Sequence, residues 1–125
     1  SINGGVQLDL MGQENAESAG MRQLSGVGGQ MDFLEGAFRS KGGKGFICIN
    51  SSRITKDGER RSNILPTIPG GSTISAPRTM IDYVATEYGV VSLMGKSLRE
   101  RAEAMASIAH PDFREELLQY AHDHF

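Results

Sequence analysis

Apolar and polar residues alternate from position 5 to position 10, with Val6, Leu8 and Leu10 on one side and Gln7 and Asp9 on the other. A period of two is that of a half-buried strand. Met11-Gly12-Gln13 reads as a turn, and residues 15–21 as a second extended segment that closes a hairpin. The period then lengthens. Met31, Leu34, Ala37 and Phe38 recur at helical spacing, which predicts a helix over 30–39, and Gly42 and Gly43 follow where a left-handed C-terminal residue is favoured. Residues 46–50 form an apolar run, the mark of a buried strand. Asp57-Gly58 suits the positive φ angles of a tight hairpin turn, joining a strand over 52–55 to one over 60–65. Pro66, Pro69 and Gly70-Gly71 make a loop. Residues 72–76, ended by Pro77, and residues 83–86 read as two more strands.

The last third is helical. Ser97-Leu98-Arg99-Glu100 is a capping box, in which a serine hydroxyl and a glutamate three residues on each satisfy a free backbone N–H. Leu98, Ala102, Met105 and Ala109 trace the apolar face of that helix. Pro111 suits the first turn of the next one, whose apolar face is Phe113, Leu117, Tyr120 and Ala121. A strand-rich front with one inserted helix, followed by a helical pair, predicts an α/β fold with a mixed sheet.

Composition narrows the function classes. A chain of 125 residues predicts one domain. Its net charge of −2 lacks the basic footprint of a nucleic-acid binder. No apolar run reaches the roughly 20 residues of a membrane span, and no secretory leader pattern opens the chain. The single cysteine, Cys48, cannot build an internal disulfide framework and fits a reducing compartment, the cytoplasm. Its apolar neighbours make it a buried small hydrophobe rather than a nucleophile. The absence of an initiator methionine, 16 glycines and no tryptophan point to a piece that leans on a partner domain.

Gly26-Val27-Gly28-Gly29 runs directly into the predicted helix at Gln30. Unpaired N–H groups at a helix start carry partial positive charge and bind phosphate. Aimed at a reacting carbonyl, they form an oxyanion hole. The residues alone fit either a structural turn or such an anion site; they fit neither a dinucleotide fingerprint nor a P-loop. Glu17 and Glu87 end apolar segments, where partial burial could make a carboxylate a base or nucleophile; solvent-facing acids are the alternative. Asp32 is a dipole-stabilising acid in the first helical turn. His110 reads as packing or capping, and His122 and His124 lie in a last helical turn. The three are too scattered for a metal site. Lys41, Lys44 and Lys56 flank turns, as solvated lysines do.

Four stretches in order carry a resemblance: LDLMGQENAE (8–17), SGVGGQMDF (25–33), TEYGVVSLMGKSLRERA (86–102) and IAHPDFR (108–114). Together they resemble the C-terminal part of the acetyl-CoA hydrolase/transferase family, which includes 4-hydroxybutyrate, butyryl and succinyl CoA-transferases. The resemblance implies a NagB/RpiA/CoA-transferase-like fold. It implies ping-pong transfer of CoA between an acyl-CoA and a short-chain carboxylate through a glutamyl-CoA thioester, with CoA as substrate and no permanently bound cofactor. The family's nucleophilic glutamate lies upstream of these motifs, so the chain is expected to be a C-terminal domain over 1–125 that works with an N-terminal domain in a homodimer. By the same resemblance, Gly28 and Gly29 supply the oxyanion hole, with Gly29 the preferred donor. Gly26, Gly28, Gly29, Gln30, Lys56 and Ser62 border CoA, and Glu87 of the Thr-Glu-x-Gly motif lies near the active site. Arg60-Arg61 adds a residue to the stretch that holds Lys56 and Ser62. An acyl-CoA hydrolase of the same family and a non-catalytic anion-binding module are the other readings.

Overall fold

The computed structural model describes residues 1–125. The chain runs β1 (Ile2–Gly4), β2 (Gln7–Asp9), β3 (Glu14–Asn15), β4 (Ser18–Ala19), β5 (Arg22–Gln23), α1 (Gln30–Arg39) and β6 (Phe46–Cys48). It continues through β7 (Ser52–Ile54), β8 (Arg60–Ser62), β9 (Ile64–Leu65), β10 (Tyr83–Thr86), β11 (Gly89–Ser92), α2 (Leu98–Ser107) and α3 (Pro111–His124).

The main sheet is mixed, as the sequence predicts, with order β1-β6-β10-β11. The first three strands are parallel, and β11 closes one edge antiparallel to β10. Asn3, Ile47 and Val84 share one row of this sheet, and Phe46 stacks on Tyr83 one row earlier with ring centroids 4.9 Å apart. Ile47 and Val84 are fully buried. A smaller sheet, β3-β2-β9, holds Leu8 between Glu14 and Ile64. Helices α2 and α3 pack on each other and bury Ala102, Met105, Leu117 and Ala121 in the same core.

The helix starts follow local chemistry. Ser97 and Glu100 form the predicted capping box. His110 caps α3, its Nδ1 accepting from the Asp112 N–H, with Pro111 in the first turn. Helix α1 spans the predicted 30–39, and Gly43 lies where a Cβ would come 2.1 Å from the Ala37 carbonyl oxygen.

Four expectations need correction. The strand at 5–10 is not half-buried: Asp9 is as fully buried as Leu8, and Gln7 is buried too. Asp9 is tolerated there because its carboxylate accepts from the backbone N–H groups of Met11 and Gln13 and from Gln13 Nε2. The extended segment at 15–21 breaks after Asn15, whose side-chain oxygen accepts from the N–H groups of Glu17 and Ser18 and turns the chain into a separate β4-β5 hairpin. The strand at 60–65 divides at Asn63, whose N–H turns to the Ser51 carbonyl: β8 pairs with β7, and β9 with β2. Residues 72–76 form no strand. Ser75 and Ala76 both donate to the Glu14 carbonyl, leaving a single bridge, and Thr73 donates to the Ser18 hydroxyl. Three strands also arise outside the predicted segments, β1, β5 and β11.

Candidate functional site

Parallel β1 and β6 are joined through α1, so the helix returns against the strand direction. Its C-terminal side comes back to the start of the sheet, where the Ser1 amino group donates to the Lys44 carbonyl at 2.8 Å. Its N-terminal end lies at the carboxyl edge of β1, β6 and β10, the edge at which open α/β sheets bind ligands. A cleft of about 400 Å³ opens there, lined by Gly5, Cys48, Ile49, Asn50, Ala85 and Thr86. Cys48 is half-buried in its wall rather than sealed in the core.

The glycine loop leads into α1 at this edge. Residues 21–29 are all exposed. No hydrogen bond within the chain uses the N–H groups of Gly26, Val27, Gly28 or Gly29. Gly28 has φ +60° and Gly29 φ −94°, ψ 11°. Such a change of sign between successive residues turns neighbouring N–H groups toward one side, as in an anion-binding nest. Gly29 is the residue before α1 and no side chain caps the helix, so its first N–H groups lack that partner as well. A Cβ on Gly26 or Gly28 would meet nothing within 4 Å. Packing inside the chain therefore does not require glycine at either position. Backbone conformation requires it at Gly28, and neither reason applies at Gly26.

The root of the loop is fixed. The Glu17 carbonyl accepts from the N–H groups of Leu24 and Ser25, and the Glu17 carboxylate accepts from the Ser75 hydroxyl at 2.5 Å. Glu17 is half-buried and engaged. The more unusual acid is its neighbour Glu14, which is fully buried. Nε2 of Gln30, the first residue of α1, donates to both Glu14 carboxylate oxygens. Burial pushes the Glu14 carboxyl up to about 7; the Gln30 amide pulls it back and the Glu17 charge adds to the rise. The Gln30 side chain is thus turned inward, onto Glu14 and away from the exposed loop. Sequence periodicity missed Glu14. Its signal was the register of the β2-β3 hairpin, which sets it directly opposite fully buried Leu8.

Glu87 lies in the turn between β10 and β11 at the same sheet edge. It is exposed, and its Oε1 accepts from the Ser51 N–H at 2.7 Å. Desolvation, the largest single influence, pushes its carboxyl up, but the hydrogen bonds from Ser51 and from its own backbone, with the neighbouring His110, together outweigh that and hold it below the usual carboxylate value. No hydrogen bond or ion pair joins Glu87 to the glycine loop; the two share the edge, not a contact. His110 packs edge-on to Tyr88, and the three histidines form no cluster of potential metal ligands.

Lys56 and Ser62 lie apart, on the β7-β8 hairpin. Lys56 is exposed in its turn. The Ser62 hydroxyl is engaged locally, donating to the Ile64 carbonyl at 2.6 Å and accepting from the Ile64 N–H at 3.2 Å. Ser62 borders a groove of about 380 Å³ whose rim carries Arg53, Arg60 and Arg61 and whose floor includes Ile64 and Phe113. Sequence reasoning took Arg60-Arg61 only as an added residue and passed over Arg53, although three cations on one hairpin are visible in the pattern.

Residues 1–121 match the profile of the acetyl-CoA hydrolase/transferase C-terminal domain. The chain is 49% identical over 121 residues to a butyryl-CoA:acetate CoA-transferase of Anaerostipes caccae, covering 97% of this chain and 27% of that protein. It is 52% identical over 118 residues to a 4-hydroxybutyrate coenzyme A transferase of Clostridium kluyveri, covering 94% and 27%. The crystal structure of RipA from Yersinia pestis superposes with a TM-score of 0.80 at 41% identity, over 98% of this chain and 25% of that one. The chain thus spans about a quarter of the length of these proteins.

Proposed function

The chain belongs to the acetyl-CoA hydrolase/transferase family, as its C-terminal domain, and from that premise we propose that the parent protein is a CoA-transferase. It moves CoA between an acyl-CoA and a short-chain carboxylate. The names of the similar proteins favour transfer over hydrolysis. The observation that carries the reading is the run of four unpaired N–H groups from Gly26 to Gly29 at the carboxyl edge of the sheet.

The chemistry divides between two domains. A glutamate of the N-terminal domain attacks the thioester carbonyl. The negative charge that develops on the carbonyl oxygen is met by the N–H groups of Gly28 and Gly29, with Gly29 the principal donor. Oriented backbone dipoles of this kind are worth about 3–4 kcal/mol of barrier for each donor. The C–S bond breaks, CoA leaves as thiolate and the acyl group remains on the glutamate as a mixed anhydride. The thiolate attacks the glutamyl carbonyl, releasing the first carboxylate and forming glutamyl-CoA. The second carboxylate reverses these steps. Glu87, ionised at neutral pH, orients the reacting groups from the rim. Backbone at Gly26 and Gln30 borders the thiol end of CoA, while Lys56, Ser62 and the arginine-rimmed groove face its phosphorylated end. CoA enters as substrate, and no permanently bound cofactor is required.

No helix is long and apolar enough to cross a membrane. The lone Cys48 supports a cytoplasmic location, and the domain works with its N-terminal partner in a homodimer.

The test is intact-protein mass spectrometry of the full-length protein incubated with acetyl-CoA and trapped with borohydride. Modification at one upstream glutamate, with turnover only when a carboxylate acceptor is added, is the expected result. Turnover without an acceptor would make the protein a hydrolase. No adduct and no consumption of acyl-CoA would leave a non-catalytic anion-binding module.

A further inference from the structure

The glycine loop has no internal hydrogen-bond ladder, and exposure along all of residues 21–29 leaves little packing to hold it. An oxyanion hole acts through donors fixed before the reaction. Something must therefore hold the loop's helix-side end. On the other side its root is anchored by the two hydrogen bonds to the Glu17 carbonyl. On the helix side the next residue, Gln30, turns its side chain inward and is almost fully buried.

We infer that the Gln30–Glu14 pair positions the oxyanion-hole loop, with Glu14 the fixed post and Gln30 the tether. This rests on the reading of the loop given above. Glu14 is suited to be the post because four segments meet at it. Its backbone belongs to β3, paired with Leu8 of β2. Its N–H donates to the Ala76 carbonyl, and its carbonyl accepts from Ser75 and Ala76. Its side chain lies so close to Gly5, at the end of β1, that a Cβ there would stand 3.3 Å from Glu14 Cγ and Oε1 and 3.1 Å from the Ile49 side chain. Both carboxylate oxygens then receive the amide of the residue adjoining Gly29. A buried acid would not be kept in this position for packing alone, since an apolar residue of similar size fills the space without the desolvation cost. What the carboxylate adds is a directional contact to the start of α1.

Glu14 and Gln30 are positioning residues, because neither side chain faces the cleft at the reacting atoms. The test uses the full-length enzyme with steady-state transfer assays and thermal unfolding. Gln30→Ala is expected to lower kcat by about 10- to 100-fold, the scale of a displaced catalytic donor. KM for acyl-CoA should stay within about twofold, because ground-state binding is untouched. The exchanged pair Glu14→Gln with Gln30→Glu retains an amide facing a carboxylate and should recover most of that loss. Gly28→Val serves as the control on the loop itself. If Gln30→Ala leaves kcat unchanged while Gly28→Val lowers it, the tether is refuted and the oxyanion reading stands. If neither lowers kcat, the oxyanion reading fails and the inference with it. Failure of the exchanged pair to recover activity at wild-type thermal stability would also overturn the pairing.

Discussion

A Cβ placed on Gly12 would stand 2.6 Å from Nη2 of Arg101, ninety positions beyond the Met11 carbonyl that the same guanidinium holds. Arg101 enters from α2 and is nearly fully buried. Its Nε, Nη1 and Nη2 donate to the carbonyls of Met11, Leu93 and Arg78 at 2.7, 2.9 and 2.8 Å. The planar fork fastens the β2-β3 turn to the segments before β10 and after β11, and Gly12 leaves room for it. Arg101→Met should lower the stability of the parent protein by about 3 kcal/mol, because three carbonyls, that of Leu93 buried and the other two partly so, lose charge-assisted partners. Arg101→Lys should recover little of that, since an ammonium cannot reproduce the fork. Urea unfolding of the three proteins checks this, and a lysine variant as stable as wild type would remove the fork argument.

Glu14 gives stability a pH dependence of unusual sign. Its carboxyl is raised from 4.5 to about 7 by burial, which the Gln30 amide partly offsets and the Glu17 charge reinforces. The backbone at Gly5, which also lies against its side chain, does not titrate. The folded state thus binds this proton more tightly than the unfolded chain. The contribution is complete below pH 4.5 and is lost as pH rises through about 7. The window is worth at most about 3 kcal/mol. Thermal unfolding from pH 4.5 to 8 should show wild type losing stability relative to Glu14→Gln as pH rises. Parallel curves for the two proteins would contradict the shift.

How much of this the sequence disclosed depends on the range of the interaction. Helix α1, both C-terminal helices, the capping box and the Asp57-Gly58 turn rest on neighbours within a few residues, and they were legible. The division of 60–65 was not, because Asn63 turns to a carbonyl twelve positions back and β9 leaves for a strand in another sheet. Strand β1 is three residues long and exists by pairing with β6, which no local pattern encodes. The glycine loop was visible as composition, and its unpaired N–H groups follow from the helix that succeeds it. Glu14 was hidden in a different way. A charged residue reads as surface until the hairpin register places it against buried Leu8.

Two glycines of the loop, both with open surroundings, separate catalysis from folding. Gly26→Ala meets no atom within 4 Å and adopts no left-handed backbone. Its stability should change by less than about 0.5 kcal/mol. Gly28→Ala also meets no atom but forces a side chain into φ +60°, at a cost of about 1–2 kcal/mol. If CoA approaches this loop, both should lose transfer activity beyond their loss of stability, and Gly28→Ala by about 100-fold. Activity measured well below the melting temperature of each variant separates the two effects. Full activity in Gly26→Ala would show that nothing approaches the backbone there.

Glu87 supplies the last test, because its chemistry is set by a hydrogen bond that leaves it exposed. The Ser51 N–H at 2.7 Å favours the carboxylate, so the group stays ionised to a pH below its ordinary 4.5. A function that needs the charge is present above the folded pKa and lost as pH falls through it. The acid limb of kcat due to Glu87 should therefore lie below 4.5, well separated from any group that titrates near neutrality. Glu87→Gln keeps the shape and removes the charge. It should lower kcat at pH 7 by at least about tenfold and abolish that limb, with little change in melting temperature because the side chain is exposed. An unchanged profile in Glu87→Gln would reduce Glu87 to a clasp on the Ser51 turn and leave the glycine loop as the whole of this domain's contribution to the reaction.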